Sequence, residues 1–148
     1  MASQAVYDAI RGKLDPGQGG VWTATPIAWP NEDFTFPVVS GAVKSPHWVA
    51  VIMTGTLYGQ ESIGESVQAD NRWDEEGILW LHTYAPVGAG EQKQRGYCKQ
   101  LADIFRGLTL LSGSLEFGDA SIESGEIGDE QGAWWRISVT IEWRRMDA

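Results

Sequence analysis

The C-terminal part of the chain alternates regularly between two sets of residues from residue 133 to residue 144. The odd positions are Ala133, Trp135, Ile137, Val139, Ile141 and Trp143. The even positions are Trp134, Arg136, Ser138, Thr140, Glu142 and Arg144. Successive side chains of a β-strand point to opposite faces of a sheet, so the pattern predicts a long strand whose odd residues face a core. The fold must therefore contain a sheet with a buried face.

Length and composition indicate one globular unit. The chain has 148 residues, of which 43% are hydrophobic and 21% are charged, close to the average for globular proteins. A chain of this length buries about two thirds of the surface that its unfolded form exposes, so one core is enough. We therefore expect a single domain over residues 1–148.

The charge is acidic and unevenly distributed. Twenty acidic against 11 basic residues give a formal net charge of −9, which disfavours a protein that grips nucleic acid by neutralising phosphates. The acids form two blocks, residues 61–76 and 116–130, and four bases lie between them: Lys93, Arg95, Lys99 and Arg106. Patches of opposite sign suit head-to-tail association of identical copies, although solvated loops and a solvated helix face would give the same pattern.

Cysteine content and hydropathy predict a soluble protein made in a reducing compartment. Cys98 is the single cysteine, which excludes an internal disulfide. The N-terminus lacks the basic and apolar regions of a signal peptide, and no apolar run approaches the roughly 20 residues of a membrane helix. We expect no contact with a membrane.

Periodicity along the chain predicts two main helices and several strands. Ser3 is a candidate cap for a helix that stops at Asp15-Pro16, and a second helix is expected over about residues 91–107, with Gly107 as its C-cap. Strands are predicted at residues 48–58 and 78–84, where apolar residues on both faces indicate strands covered on both sides, and a hairpin is predicted at residues 114–122 and 133–144. The fold class is therefore α+β, with a mixed or largely antiparallel sheet of about four to five strands and both helices packed on it.

Tryptophan is unusually frequent, with eight copies. The strand patterns place Trp80, Trp135 and Trp143 in the core. Trp134 is the exception on the outer face of the last strand, and it is either an interface anchor or a side chain covered by the preceding hairpin loop. Trp22, Trp29, Trp73 and Trp134 are predicted in loops, at edges or on an outer face, where they suit subunit contacts or a carbohydrate surface.

Catalytic, metal and nucleotide motifs are weak. Cys98 falls on the apolar face of a helix, which favours a buried structural thiol, and His82 lies in a strand without a nucleophile elbow. The acidic loop with Glu126, Asp129 and Glu130 lacks the residue order of a calcium site. Gly88 and Gly90 precede a helix but lack the rest of a phosphate-binding motif, so a turn is the better interpretation. We predict no enzyme activity, no cofactor and no metal.

One extended segment, from Ile27 to Phe34 (Ile-Ala-Trp-Pro-Asn-Glu-Asp-Phe), resembles a stretch found in tail terminator-like proteins of long-tailed phages. The likeness continues through the run from Trp48 to Ile52, an acidic turn at residues 61–66, Arg72 and Gly77 before residues 78–81, Pro86 to Gly90, Phe105 to Gly107, and finally Trp135-Arg136-Ile137. It covers most of the chain, and the order of the elements carries much of it.

The resemblance implies a tail terminator fold and a structural, non-enzymatic role. By this resemblance, copies of the chain are expected to assemble as a ring, a hexamer, at the head-proximal end of the tail tube. The ring would cap the tube, stop its polymerisation and form the head–tail joining surface. The same part occurs in gene transfer agents derived from phages. The implied partners are further copies of the chain, the tail tube protein and a head-completion or stopper protein, with DNA only as cargo in the lumen. The protein would be made in the host cytoplasm and end in the virion tail.

Candidate interface residues combine exposed aromatics with opposite charges. The set is Trp29, Asn31, Phe34, Asp70, Trp73, Asp74, Glu75, Lys93, Lys99, Arg106, Trp134 and Arg136. In the predicted contact, the basic helix face meets an acidic loop, either near residues 70–75 or near residues 126–130. Tube contacts are predicted on loops 35–47 and 60–75.

Two alternatives remain open. One is another head–tail component, such as a stopper or a tail-tube-like protein, which self-assembly into tubes would reveal. The other is a small carbohydrate-binding or hydrolytic domain that uses exposed tryptophans, which glycan binding or turnover would reveal.

Overall fold

Two helices and seven strands make up the fold in the computed structural model, which describes residues 3–37, 46–60, 64, 66–67 and 72–147. The helices are α1 (Gln4–Leu14) and α2 (Gln92–Phe105). The strands are β1 (Ile27–Ala28), β2 (Trp48–Gln60), β3 (Trp73–Pro86), β4 (Thr109–Leu110), β5 (Leu115–Ile122), β6 (Glu126–Ile127) and β7 (Trp134–Asp147). A short 3₁₀ turn, Pro16–Gln18, follows α1 as the Asp15-Pro16 stop signal predicts.

All seven strands belong to one sheet with the order β1-β2-β3-β7-β5-β4, and β6 pairs with β7. The α+β class and the mixed sheet are confirmed, because β1 and β2 run parallel while the other pairs are antiparallel. The predicted count of four to five strands is wrong. The additional strands β1, β4 and β6 have two residues each, which is too short for any periodicity in the sequence.

The centre of the sheet is formed by β3 and β7. They pair without interruption from Trp73 opposite Asp147 to Pro86 opposite Trp134. β3 thus begins at Trp73, not at Ile78 as the apolar pattern suggested, because its first residues are acidic and a hydropathy pattern does not detect them. Neither described helix is long and apolar enough to cross a lipid bilayer.

Both helices pack on the same face of the sheet. From α1, Val6, Ile10 and Leu14 are fully buried, and from α2, Leu101 and Phe105 are fully buried. They join one cluster with the inward residues of the central strands: Val49, Val51, Leu79, Leu81, Ile137, Val139, Ile141 and Trp143. The predicted core face of the last strand is therefore confirmed. Burial of such side chains stabilises the fold by about 1.5–3 kcal/mol each.

The opposite face of the sheet carries no helix among the described residues. We call this side the open sheet face; in its middle, Ile52 of β2 lies opposite Trp80 of β3, which lies opposite Thr140 of β7. Ile52 is 45% exposed and Trp80 is half-buried. The expectation that β2 and β3 are covered on both sides, with Trp80 in the core, is therefore wrong. Apolar residues on both faces of a strand do not show that both faces are covered.

Candidate functional site

The Trp-Pro-Asn segment folds back on α1. Trp29 is only 8% exposed, its ring meets Tyr7 edge-on, and the guanidinium carbon of Arg11 lies 4.6 Å from its ring centre. Arg11 also binds Glu32, which lowers the pKa of that carboxyl group. Asn31 has a left-handed backbone, with φ of 56°, and the Glu32 N–H donates to the Trp29 carbonyl oxygen at 3.2 Å. Trp29 and Asn31 thus build a turn within the subunit.

Five aromatic side chains meet at one end of the open sheet face. Trp48 stacks on Tyr84 with ring centres 4.1 Å apart, Phe34 and Phe36 each lie 5.1 Å from Trp48, and Trp134 meets Trp48 edge-on at 5.8 Å. Phe36 is 56% exposed, whereas Trp134 is half-buried. The predicted interface residues Phe34 and Trp134 are therefore brought together by β2, β3 and β7.

The carboxylates of Asp74 and Glu75 are turned into the subunit. Each residue is 1% exposed. Asp74 accepts from the Arg144 guanidinium at 2.7 Å, and Glu75 accepts from the Ser3 N–H and hydroxyl at 3.1 and 3.0 Å. Arg145 lies 3.4 Å from Glu75. These contacts tie the start of β3 to β7 and to the N-terminus of α1.

The neighbouring predicted residues of this loop differ in position. Trp73 is half-buried and stacks on Tyr58 with ring centres 5.9 Å apart. Asp70 lies outside the described residues, as do residues 38–45 and most of 61–71. They make up more than half of the predicted tube-contact loop 35–47 and half of the predicted loop 60–75, whose last residues, from Trp73, belong to β3.

The outward surface of α2 carries the basic residues expected from the sequence. Lys93 rests 5.8 Å from the Tyr97 ring centre, and Lys99 binds Asp103 at 2.6 Å, which lowers the pKa of Asp103. Arg106 lies at the end of the helix, 3.4 Å from Asp103. These positions agree with a solvated basic face. Arg136, the remaining predicted site residue, lies on the open sheet face and binds Glu126.

A broad hollow of about 450 Å³ lies at the end of the sheet that is opposite the aromatic cluster. Three acidic side chains line it, Glu76 of β3, Glu116 of β5 and Glu142 of β7, together with Arg144. Register explains their meeting, because Arg144 pairs with both Glu76 and Glu116, and Glu142 pairs with Ile78. The sequence alone does not predict this group, because its acids come from three separated segments. Its only indication in the sequence is that Glu142 and Arg144 occupy even positions of the last strand.

Two groups with nucleophile character are buried. Cys98 is fully buried 3.3 Å from the Thr83 hydroxyl, and burial raises the pKa of its thiol. The Ser138 hydroxyl lies 2.6 Å from Nδ1 of His82, but Ser138 is only 4% exposed, which leaves no access for a substrate carbonyl. Burial is the main cause that lowers the pKa of His82, and the nearby positive charge of Arg136 lowers it further. Both groups therefore act as structural contacts.

Ligand-binding geometry is equally limited. Across residues 3–37, 46–60 and 72–147, no three His, Cys, Asp or Glu side chains are grouped as metal ligands. At the Gly88 and Gly90 turn, the Glu91 carboxylate accepts from the Trp135 indole N–H at 2.7 Å, which lowers the pKa of Glu91. A carboxylate in this position would repel a phosphate group.

Comparison with known proteins gives two positive results. A solved protein structure superposes on the chain with a TM-score of 0.62 at 21% sequence identity, with 100% of this chain and 98% of the other covered, which shows a shared fold. No curated protein matches the chain.

The second result comes from protein families. The family model described as phage tail terminator protein matches residues 5–143, which include all but the first residue of α1, the whole of α2 and the first ten residues of β7. This match extends from the first helix to the last core residue of the final strand, Trp143. The chain therefore belongs to the phage tail terminator protein family.

Proposed function

We propose that copies of this chain form a ring of six subunits that caps the head-proximal end of the tail tube. Membership of the family supports this, because it makes the chain a structural component of a phage tail that interacts with other tail parts. The ring stops further tube polymerisation and offers the surface to which a head-completion or stopper protein binds. The family match over residues 5–143 carries this proposal.

The two-layer architecture supports it physically. A closed ring of identical subunits needs two unlike surfaces on each subunit, one of which binds the other on the next copy. This chain has helices on one face of its sheet and an open face on the other. With a net charge of −9, surplus acids left facing the lumen would repel DNA phosphates and let DNA pass.

Burial weakens the carbohydrate alternative. Trp22 and Trp29 are 3% and 8% exposed, so they cannot present a face to a sugar ring, and Trp73 is stacked on Tyr58. The stronger alternative to a terminator is another head–tail component, such as a stopper or a tail-tube-like protein. A terminator stops the growth of a tube, whereas a tail-tube-like protein assembles into tubes itself.

A polymerisation assay tests the proposal. Tail tube protein from the same phage is allowed to polymerise with and without this chain, and tube lengths are measured by negative-stain electron microscopy. A terminator shortens the tubes, and density for a ring appears at one tube end. Unchanged tube lengths without end density would contradict the proposal, and tubes made by this chain alone would identify a tail-tube-like protein.

A further inference from the structure

The open sheet face has the composition of a docking surface. Ile52 and Leu57 are 45% and 50% exposed, and Ile78 and Trp80 are half-buried beside them. The pairings Ile52 with Trp80 and Leu57 with Glu76 make these residues neighbours across β2 and β3. An apolar strip on one side of a sheet, bordered by charged residues, is typical of a protein–protein contact.

The border of this strip is acidic. Glu76, Glu116 and Glu142 line the hollow of about 450 Å³ next to Ile78. Its basic residue, Arg144, binds the buried Asp74 at 2.7 Å, so its charge is directed to a carboxylate of the same subunit. None of the three glutamates forms an ion pair with a residue in the described part of the chain. The hollow therefore presents an excess of negative charge to solvent.

The matching positive surface lies on the other side of the molecule. Arg95, Lys99 and Arg106 follow one line along the solvent side of α2, at spacings of four and seven residues. Glu91 and Asp103 offset part of this charge, and Lys93 beside Tyr97 adds to it. Because α2 packs on the inner face of the sheet, its solvent side faces away from the open sheet face.

We propose that α2 of a second copy docks on the open sheet face, with its basic line against the hollow of Glu76, Glu116 and Glu142. Apolar residues Ile52, Ile78 and Trp80 would be covered in the same contact. Two unlike surfaces on opposite sides of one subunit give head-to-tail association, which closes into a ring when the rotation per subunit allows it. This inference rests on the proposed ring and names the surfaces that would form it.

A charge-exchange experiment tests the contact. The sheet variant carries Glu116→Lys and Glu142→Lys, and the helix variant carries Arg95→Glu and Lys99→Glu. Each variant alone would place like charges in every contact. In an equimolar mixture, each altered face meets a complementary one, so rings with alternating subunits form again. Oligomer mass is measured by light scattering, alone and with tail tubes from the same phage, and tube capping is scored in parallel.

A matched control separates this contact from a general effect of charge. A triple variant, Gln4→Lys with Asp8→Lys and Gln18→Lys, makes the same charge change as the sheet variant at three exposed positions outside both surfaces. We expect the control to assemble like the wild type, and each test variant to associate at least about tenfold more weakly, which corresponds to about 1.4 kcal/mol. Recovery in the mixture also shows that both variants are folded.

The possible results lead to different conclusions. Wild-type mass in both single variants would overturn the docking proposal and leave the capping function intact. If the variants still form the ring but no longer shorten tubes, the open sheet face binds the tube protein and not a second copy, and the docking proposal is overturned as well. A wild type that neither associates nor caps tubes would refute the proposed function itself. Loss of the ring in each variant alone, with its recovery in the equimolar mixture, would support the proposed contact.

Discussion

Gly77 is the position where the addition of one methyl group should affect this fold most directly. It lies in β3 opposite Gly55 of β2 and Trp143 of β7. A Cβ at Gly77 would lie 1.9 Å from the Thr54 carbonyl oxygen and 2.5 Å from Cζ2 of Trp143. Ordinary van der Waals contacts begin at 3.4 Å, so the closest contact is too short by 3.4 − 1.9 = 1.5 Å.

The cost of Gly77→Ala follows from which atoms must move. The Thr54 oxygen belongs to the backbone and cannot rotate away, so β2 must separate locally from β3. Overpacking costs about 1–3 kcal/mol, and one or two weakened ladder hydrogen bonds add about 1 kcal/mol each. We therefore expect Gly77→Ala to lower the free energy of unfolding by about 2–5 kcal/mol.

Gly96→Ala is the matched control, because it makes the same chemical change in the opposite environment. Gly96 lies inside α2, and nothing is found within 4 Å of an added Cβ. Alanine is favoured over glycine in a helix interior by about 0.5–1 kcal/mol. The control should therefore raise the free energy of unfolding by that amount.

Urea denaturation followed by tryptophan fluorescence measures both effects at one protein concentration. With an m value of about 2 kcal/mol per molar urea, Gly77→Ala should lower the midpoint by roughly 1–2.5 M. Gly96→Ala should raise it slightly. If the two variants unfold within about 0.5 kcal/mol of each other, the close approach at Gly77 does not limit the fold and the reasoning is refuted.

Three further predictions concern single residues. Burial lowers the pKa of His82 below 6.5, so the stability that its neutral form contributes is fully present above pH 6.5 and is lost as the pH falls below that value. Between about pH 7.5 and about pH 5.5, the His82→Asn variant should therefore lose less free energy of unfolding than the wild type, and equal losses would contradict this. Native Cys98 should react with a thiol reagent at least on the order of tenfold more slowly than in urea, because burial raises its pKa; equal rates would show an accessible thiol. Asn31→Val should be less stable than Asn31→Gly by about 1 kcal/mol in thermal unfolding because of the positive φ, and equal melting temperatures would count against that strain.

Much of the fold followed from local patterns. The helix with Val6, Ile10 and Leu14 at helical spacing and the alternation around Ile137 and Val139 were confirmed, because burial of one face imposes a period that can be read directly. The two-residue strands β4 and β6 were missed because two residues define no period. β3 was predicted too short because its start contains Asp74 and Glu75, whose burial depends on partners that are distant in the sequence.

Of the two candidate assembly surfaces, only one could be predicted from the sequence. The basic line along α2 is visible in the sequence because helical spacing places Arg95 and Lys99 on one side. The acidic hollow is not visible, because cross-strand register brings Glu116 and Glu142 together from β5 and β7. Trp29 was predicted as an interface residue, yet the structure places it 8% exposed against α1.

The sequence by itself determined the helices, the long strands, the inward side of β7 and the excess of acidic charge, since each depends on residue type and on neighbours along the chain. Only the tertiary structure decided that both helices cover the same side of the sheet and that no helix among the described residues covers the other side. A strand with apolar residues on both faces is compatible with either arrangement. Which face is covered depends on how α1 and α2 pack on the sheet, and that choice is made by contacts between distant segments.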